Sequence, residues 1–291
     1  MAGRNLSSLI PAASVLFALR SKGASITDGA KTAAGFGISV QCWSFKEFTL
    51  FEAIKMAASA GVGGVELFSG QRLSGRHGTA EVGPDMPSKL VHDVRAKLEE
   101  HRLSAYNWGV IKIPTKEDQA RRIFDLAREL DLYGITTESI GSIGLLEKLA
   151  QEYDIKVCFH NHPKPTKLWN PETISAAIEG RHHNLGFCAD LGHWASSGLD
   201  PLEVVRKIAP RIHAIHIKDR ESIIQPSHDR PLGTGVINLV GILDEVRKHG
   251  FAGNVSIEYE HNWKTNLAEV AQCVGFLRGY SLCKSGPASQ L

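Results

Sequence analysis

The sequence has no cysteine pair spaced C-x-x-C, and its five cysteines, Cys42, Cys158, Cys188, Cys273 and Cys283, are scattered. That excludes a disulfide framework or a cysteine-based zinc site as the organising feature. Three of the five fall in apolar strand-like runs, where a free thiol packs as a small hydrophobe. An excess of one charge is also missing: 33 basic residues face 31 acidic ones, for a net charge of +2. A nucleic-acid partner, which would call for a basic stripe, is therefore not expected. No apolar run is long enough to cross a bilayer, so no membrane partner is expected either. The first strand-like run, "GISVQCW", is followed by "SFKEF" and not by G-x-G-x-x-G, which argues against an open dinucleotide-binding sheet. Linkers, low-complexity tracts and charge blocks are lacking too, leaving the 291 residues to one main domain.

What is present is alternation. Residues 1–36 read as an N-terminal extension in which Arg4, an apolar segment Leu9 to Leu19 and then Gly23-Ala24-Ser25 resemble a bacterial export signal, although Pro11 interrupts it and Arg20 closes it early. Its expectation is export to the periplasm; without it the chain is expected in the cytoplasm. From residue 37 to 282, β-rich runs at 37–43, 63–68, 103–109, 134–139, 155–161, 184–190, 211–219 and 253–260 alternate with helical patterns. "TLFEAIKMAASA" opens on a Thr cap and stops at Gly61. "TKEDQARRIFDLARELDLYG" carries acids in its first turn. Later helices are expected at 142–152, 171–180, 200–209, 236–249 and 265–280, with 283–291 as a tail. Eight such units predict an α/β protein, a single (β/α)8 TIM barrel. Two long loops, 69–87 and 218–235, leave the C-terminal strand ends, the face where such barrels keep their active sites.

Polar residues gather at those ends. Glu138 closes the fourth strand, His160 and His162 the fifth, and Asp190 the sixth, with His193 three residues on. His213, His216, Lys218 and Asp219 lie on the seventh, and Glu258 and Glu260 on the eighth. Strand side chains alternate, so His160 shares a face with His162, and Glu258 with Glu260. Carboxylates and imidazoles together suit one divalent ion, Mn2+, Mg2+, Co2+ or Zn2+. His213 shares its side with Ile215 and Ile217 and is read as structural. Glu66, inside "GVELF", either faces the site or bridges the barrel.

The progression "DLGH" (190–193), "HIKD" (216–219), "GTGVINLVGIL" (233–243) and "IEYE" (257–260) resembles the xylose isomerase-like TIM barrels over residues 37–280. The resemblance implies a metal held by Glu, Asp, His and Glu. Asp190, His216 and Glu258 carry over. Where the sugar epimerases place a carboxylate on the fifth strand this chain has His160, and Glu138, one strand earlier, is the natural substitute. The implied function is a metal-dependent sugar isomerase or epimerase, acting through an enediolate on a free or keto sugar or a cyclitol. His160 or His162 would be the acid/base with Glu258, because histidine titrates near neutrality. His193, Lys218, Trp43, Trp108 and Arg230 would contact the substrate. The alternatives are a hydratase or dehydratase-type lyase on 3-keto-sugars or inososes, and a non-catalytic sugar-binding barrel. An abasic-site endonuclease is disfavoured, because that branch expects Asp-x-His where this chain has Asp229-Arg230-Pro231. The partner expected is a small carbohydrate; a homo-oligomer is compatible with the sequence.

Overall fold

The computed structural model describes residue 26 and residues 31–284, so the export-like segment and the end of the C-terminal tail lie outside the described residues. Ten strands occur among these residues: β1 (Gly37–Gln41), β2 (Gly64–Leu67), β3 (Ser104–Ile111), β4 (Gly134–Thr137), β5 (Lys156–His160), β6 (Leu185–Asp190), β7 (Ile212–Ile217), β8 (Asp219–Arg220), β9 (Asp229–Arg230) and β10 (Asn254–Ile257). Eight of them close into a barrel in the order β1-β10-β7-β6-β5-β4-β3-β2, all neighbours parallel. β8 and β9 form a separate antiparallel pair on the loop after β7.

Helices return the chain between strands, as parallel neighbours require. They are α1 (Leu50–Ala60), α2 (Ser88–Glu100), α3 (Glu117–Glu129), α4 (Ile143–Tyr153), α5 (Pro171–Ile178), α6 (Leu191–Ser196), α7 (Pro201–Ile208), α8 (Leu239–Lys248) and α9 (Leu267–Lys284). α1 starts at a capping box, in which Thr49 and Glu52 satisfy each other's backbone N–H groups, and stops at Gly61, whose φ of 92° is left-handed. α6 was not expected from the sequence. It follows β6 directly because Asp190 caps it, Oδ1 accepting the His193 N–H at 2.7 Å.

The hydrophobic core lies between barrel and helices. Val157 and Phe159 of β5, Phe187 and Ala189 of β6, and Ile215 and Ile217 of β7 all belong to it. Trp108 belongs to it as well, 1% exposed. Inside the barrel the character reverses. Barrel interiors are usually filled with layers of Val, Ile and Leu, but here Ser39 Oγ donates to Asn254 Oδ1 at 2.8 Å, Asn254 Nδ2 to Asn107 Oδ1 at 3.5 Å, and Asn107 Nδ2 to Thr136 Oγ1 at 3.3 Å. Above this belt stand the polar strand ends. β7 ends at Ile217 and β10 at Ile257, each shorter than its sequence pattern, so Lys218, Glu258 and Glu260 stand just beyond the sheet.

Candidate active site and metal centre

Register brings the site together. Asp190 pairs with His216 across β6 and β7, and His160 with Cys188 across β5 and β6. His160, Asp190 and His216 thus stand at the C-terminal ends of three adjacent strands, and Glu258 follows the end of β10. All four are buried, and one ligand atom from each lies within 4.8 Å of the others. His160 Nε2 is 3.5 Å from Asp190 Oδ2; His216 Nδ1 is 3.9 Å from Asp190 Oδ2 and 3.0 Å from Glu258 Oε2. Apart from the ion pairs that Asp190 Oδ2 and Glu258 Oε2 make with Lys218 and with the histidines, His160 Nε2, Asp190 Oδ2, His216 Nδ1 and Glu258 Oε2 have no hydrogen-bond partner. Buried polar atoms are rarely left so. Four of them converging, two nitrogens and two oxygens, fit a divalent cation.

Glu138 sits on the far side of His160. Its Oε1 is 3.3 Å from His160 Nδ1 and in very close contact with His162 Nδ1. The structure therefore groups Glu138 with His160 and His162, and His160 also with Asp190, His216 and Glu258. This differs from the sequence reading, which took Glu138 as the fourth ligand. Glu138 stands one strand further round the barrel, behind the imidazole.

Asn161 explains the middle of "HNH". Its Nδ2 donates to the Asp190 carbonyl at 3.0 Å, and its Oδ1 accepts the Asp190 N–H at 2.9 Å. Lys218, 1% exposed, places Nζ 3.1 Å from Asp190 Oδ2, 2.9 Å from Glu258 Oε2 and 2.7 Å from Glu260 Oε2. Burial alone would lower the Lys218 pKa, but Asp190, Glu258 and Glu260 hold it well above its usual value. Burial would raise Asp190, yet the Lys218 charge and the His160 hydrogen bond keep it well below the carboxylate range. Glu258 is likewise lowered against burial by Lys218 and His216. Burial, assisted by Lys218 and His160, keeps His193 neutral well below its ordinary value. Burial would also raise Glu138, but hydrogen bonds from His160 and His162 bring it down to about 2.

A cleft of about 260 Å³ opens over these groups, lined among others by Gln41, Trp43, Phe68, His162, His193, Glu258 and Glu260. Trp43 is 37% exposed, and its Nε1 donates to Glu260 Oε1 at 3.0 Å. Trp108 does not reach the cleft. Its neighbour Asn107 points inward, so strand alternation turns the indole out into the helix layer. Arg230 is exposed on β9 and absent from the cleft lining. Glu260, read from the sequence as sharing a face with Glu258, lines the cleft, whereas Gln41 and Phe68 are lining residues that the sequence reading did not single out. Phe68 ends the β-rich run 63–68 before the long 69–87 loop, just past β2, and that position was the available signal. Asp219 proves to be a loop lock: Oδ2 accepts the N–H groups of Gly233 and Gly235 at 2.9 Å each, and Oδ1 those of Arg220 at 3.0 Å and Ile237 at 3.1 Å. A Cβ on Gly235 would stand 2.3 Å from Asp219 Oδ1, so the "GTG" motif and the aspartate require each other.

Residues 137–279 match the family model described as "Xylose isomerase-like TIM barrel". Over that stretch the chain is similar to the xylose isomerase-like TIM barrels, and its own eight parallel strands close into a barrel. Among curated relatives of this barrel, an inosose dehydratase of Clostridium tetani is 38% identical over 82 residues, 28% of this chain and 27% of that one. The chain spans less than half the length of the curated relatives it matches. A crystal structure of an uncharacterised protein from Parabacteroides distasonis superposes with a TM-score of 0.68 at 26% identity, covering 84% of this chain and 99% of the other. The IOLI protein, solved with a bound zinc atom, shares the fold, with a TM-score of 0.66 at 15% identity over 87% of this chain and all of that one. Among the described residues, no helix is long and apolar enough to cross a membrane.

Proposed function

We propose that this barrel is a metal-dependent enzyme that moves a proton on the carbon beside a carbonyl, in a free or keto sugar or a cyclitol, as an isomerase or epimerase. The observation that carries this is the convergence of four buried ligand atoms, from His160, Asp190, His216 and Glu258, beneath a small cleft. A Mn2+, Co2+, Zn2+ or Mg2+ ion held there would polarise a carbonyl and its neighbouring hydroxyl and so acidify the carbon-bound proton. His162 lines the cleft, has a side chain 42% exposed, and is backed by Glu138. It is the proton carrier in this reading, with Glu258 as its counterpart across the cleft. Lys218, kept cationic and fully buried, sits where negative charge on substrate oxygen would develop. Neutral His193 is free to hydrogen-bond a substrate hydroxyl. Trp43 offers an exposed ring face for a sugar to lie against.

Dehydration is the second reading, supported by the inosose dehydratase relative and by the presence of two proton carriers on one cleft, one to take the proton and one to protonate a departing hydroxyl. The test is deuterium wash-in. Protein with Mn2+ in D2O is incubated with ketoses, inososes and 3-keto-glucosides, and exchange and water loss are followed by NMR. Exchange that vanishes in Glu258→Gln and His162→Gln supports the proposal. Exchange that persists undiminished in both overturns it, and water loss without epimer or isomer selects the second reading.

A further inference from the structure

Glu66 lies on β2 and points into the barrel, 0% exposed. Its Oε1 accepts the Thr136 hydroxyl at 2.7 Å, and its Oε2 lies 3.0 Å from His216 Nε2. An ionised carboxylate only accepts, so it places the proton of His216 on Nε2. The other ring nitrogen, Nδ1, faces Asp190 Oδ2 at 3.9 Å and Glu258 Oε2 at 3.0 Å, and with Nε2 engaged by Glu66 it is the His216 atom left to ligate a cation.

Glu66 is itself fixed from below. Asn107 donates to Thr136, Asn254 donates to Asn107, and Ser39 donates to Asn254. A chain of hydrogen bonds thus runs from the barrel floor to the back of one imidazole. Core packing alone does not explain it, because a carboxylate in the centre of a barrel is costly unless paired and hydrogen-bonded, and Val or Leu would fill the space without that cost.

The geometry points to Glu66 as a positioning residue for the metal centre: it fixes the tautomer and the ring orientation in which His216 presents Nδ1 to a divalent cation. This rests on the metal reading of the site. A carboxylate behind a ligating histidine raises its basicity and fixes its ring, and losing such a partner costs about 10–100-fold in metal affinity.

The test uses the full chain and Zn2+ alone. Glu66→Gln and Thr136→Val are compared with wild type by competitive zinc titration, and the His216 Nε2–H resonance is followed by 15N-edited NMR in the zinc-loaded state. Expected results are a fall in affinity of about tenfold or more in Glu66→Gln, a smaller fall in Thr136→Val, and an upfield move of the Nε2–H proton in each. Wild-type affinity with an unmoved resonance in both variants overturns the inference, whatever happens to their melting temperatures. If Glu66→Gln does not fold, Thr136→Val decides by the same two readouts. A wild-type protein that binds no zinc, manganese or cobalt overturns the metal reading itself, and this inference with it.

Discussion

Asn161 and Asp190 clasp each other across the ends of β5 and β6: the Asn161 amide gives one hydrogen bond to the Asp190 carbonyl and receives one from its N–H, at 3.0 and 2.9 Å. Both residues are fully buried. Asn161→Ala leaves a buried N–H and a buried C=O unpaired and should cost about 2–4 kcal/mol, read by denaturant unfolding. It should also weaken metal binding, because Asp190 loses the fixed backbone from which its carboxylate is aimed. Unfolding within about 0.5 kcal/mol of wild type would show that the clasp contributes nothing.

Lys218 is the buried ammonium that pairs at once with Asp190, Glu258 and Glu260. Lys218→Met should destabilise the metal-free protein by about 3–5 kcal/mol, since buried Asp190 and Glu258 lose their cation. Added Mn2+ or Zn2+ should restore much of that loss in thermal melts, because the ion supplies the missing positive charge. A variant as stable as wild type without metal would contradict the charge balance described here.

His213 gives a pH signature away from the site. Its Nε2 meets the His183 carbonyl at 2.8 Å, and burial, with Lys156 nearby, holds the imidazole down at about 4 against 6.5 in the unfolded chain. Between those values the unfolded chain takes up a proton that the folded chain refuses, so stability is full above pH 6.5 and falls as the pH drops toward 4. The difference between wild type and His213→Gln should therefore shrink by about 2–3 kcal/mol over that range. Urea unfolding of both proteins at pH 7.5 and pH 4.5 checks it; a difference independent of pH would rule out His213 as the source.

Asp219 secures the loop that carries β8 and β9. Asp219→Ala removes the acceptor of four backbone N–H groups and should cost about 2–4 kcal/mol. Limited proteolysis should then cut between residues 221 and 236 under conditions where wild type is intact. Equal protection in the two proteins would show that the loop is held by other contacts.

The barrel was legible because short β-branched runs alternate with capped helices, a pattern few folds share. The site's neighbourhood was legible because its charged residues stand at strand ends. Finer placement was not, for physical reasons. Trp108 and Asn107 are sequence neighbours, and a single strand does not say which of two adjacent residues faces inward; the closed sheet turned Asn107 in and the indole out. That His160, and not Glu138, groups with Asp190, His216 and Glu258 was not legible, because it depends on the stagger between β4 and β5. Arg230 was read as reaching the cleft, but its pairing opposite Asp219 in β8 and β9 leaves it exposed. Glu66 was ambiguous until His216 and Thr136 appeared beside it, since its partners are 150 and 70 residues away.

The central claim is that His160, and not Glu138, completes the set formed by Asp190, His216 and Glu258. Electron spin-echo spectroscopy of the Mn2+-loaded protein counts the histidine nitrogens bound to the ion. The account predicts two imidazole nitrogens in wild type and in Glu138→Gln, and one in His160→Gln. A single nitrogen in wild type, unchanged by His160→Gln, would contradict it.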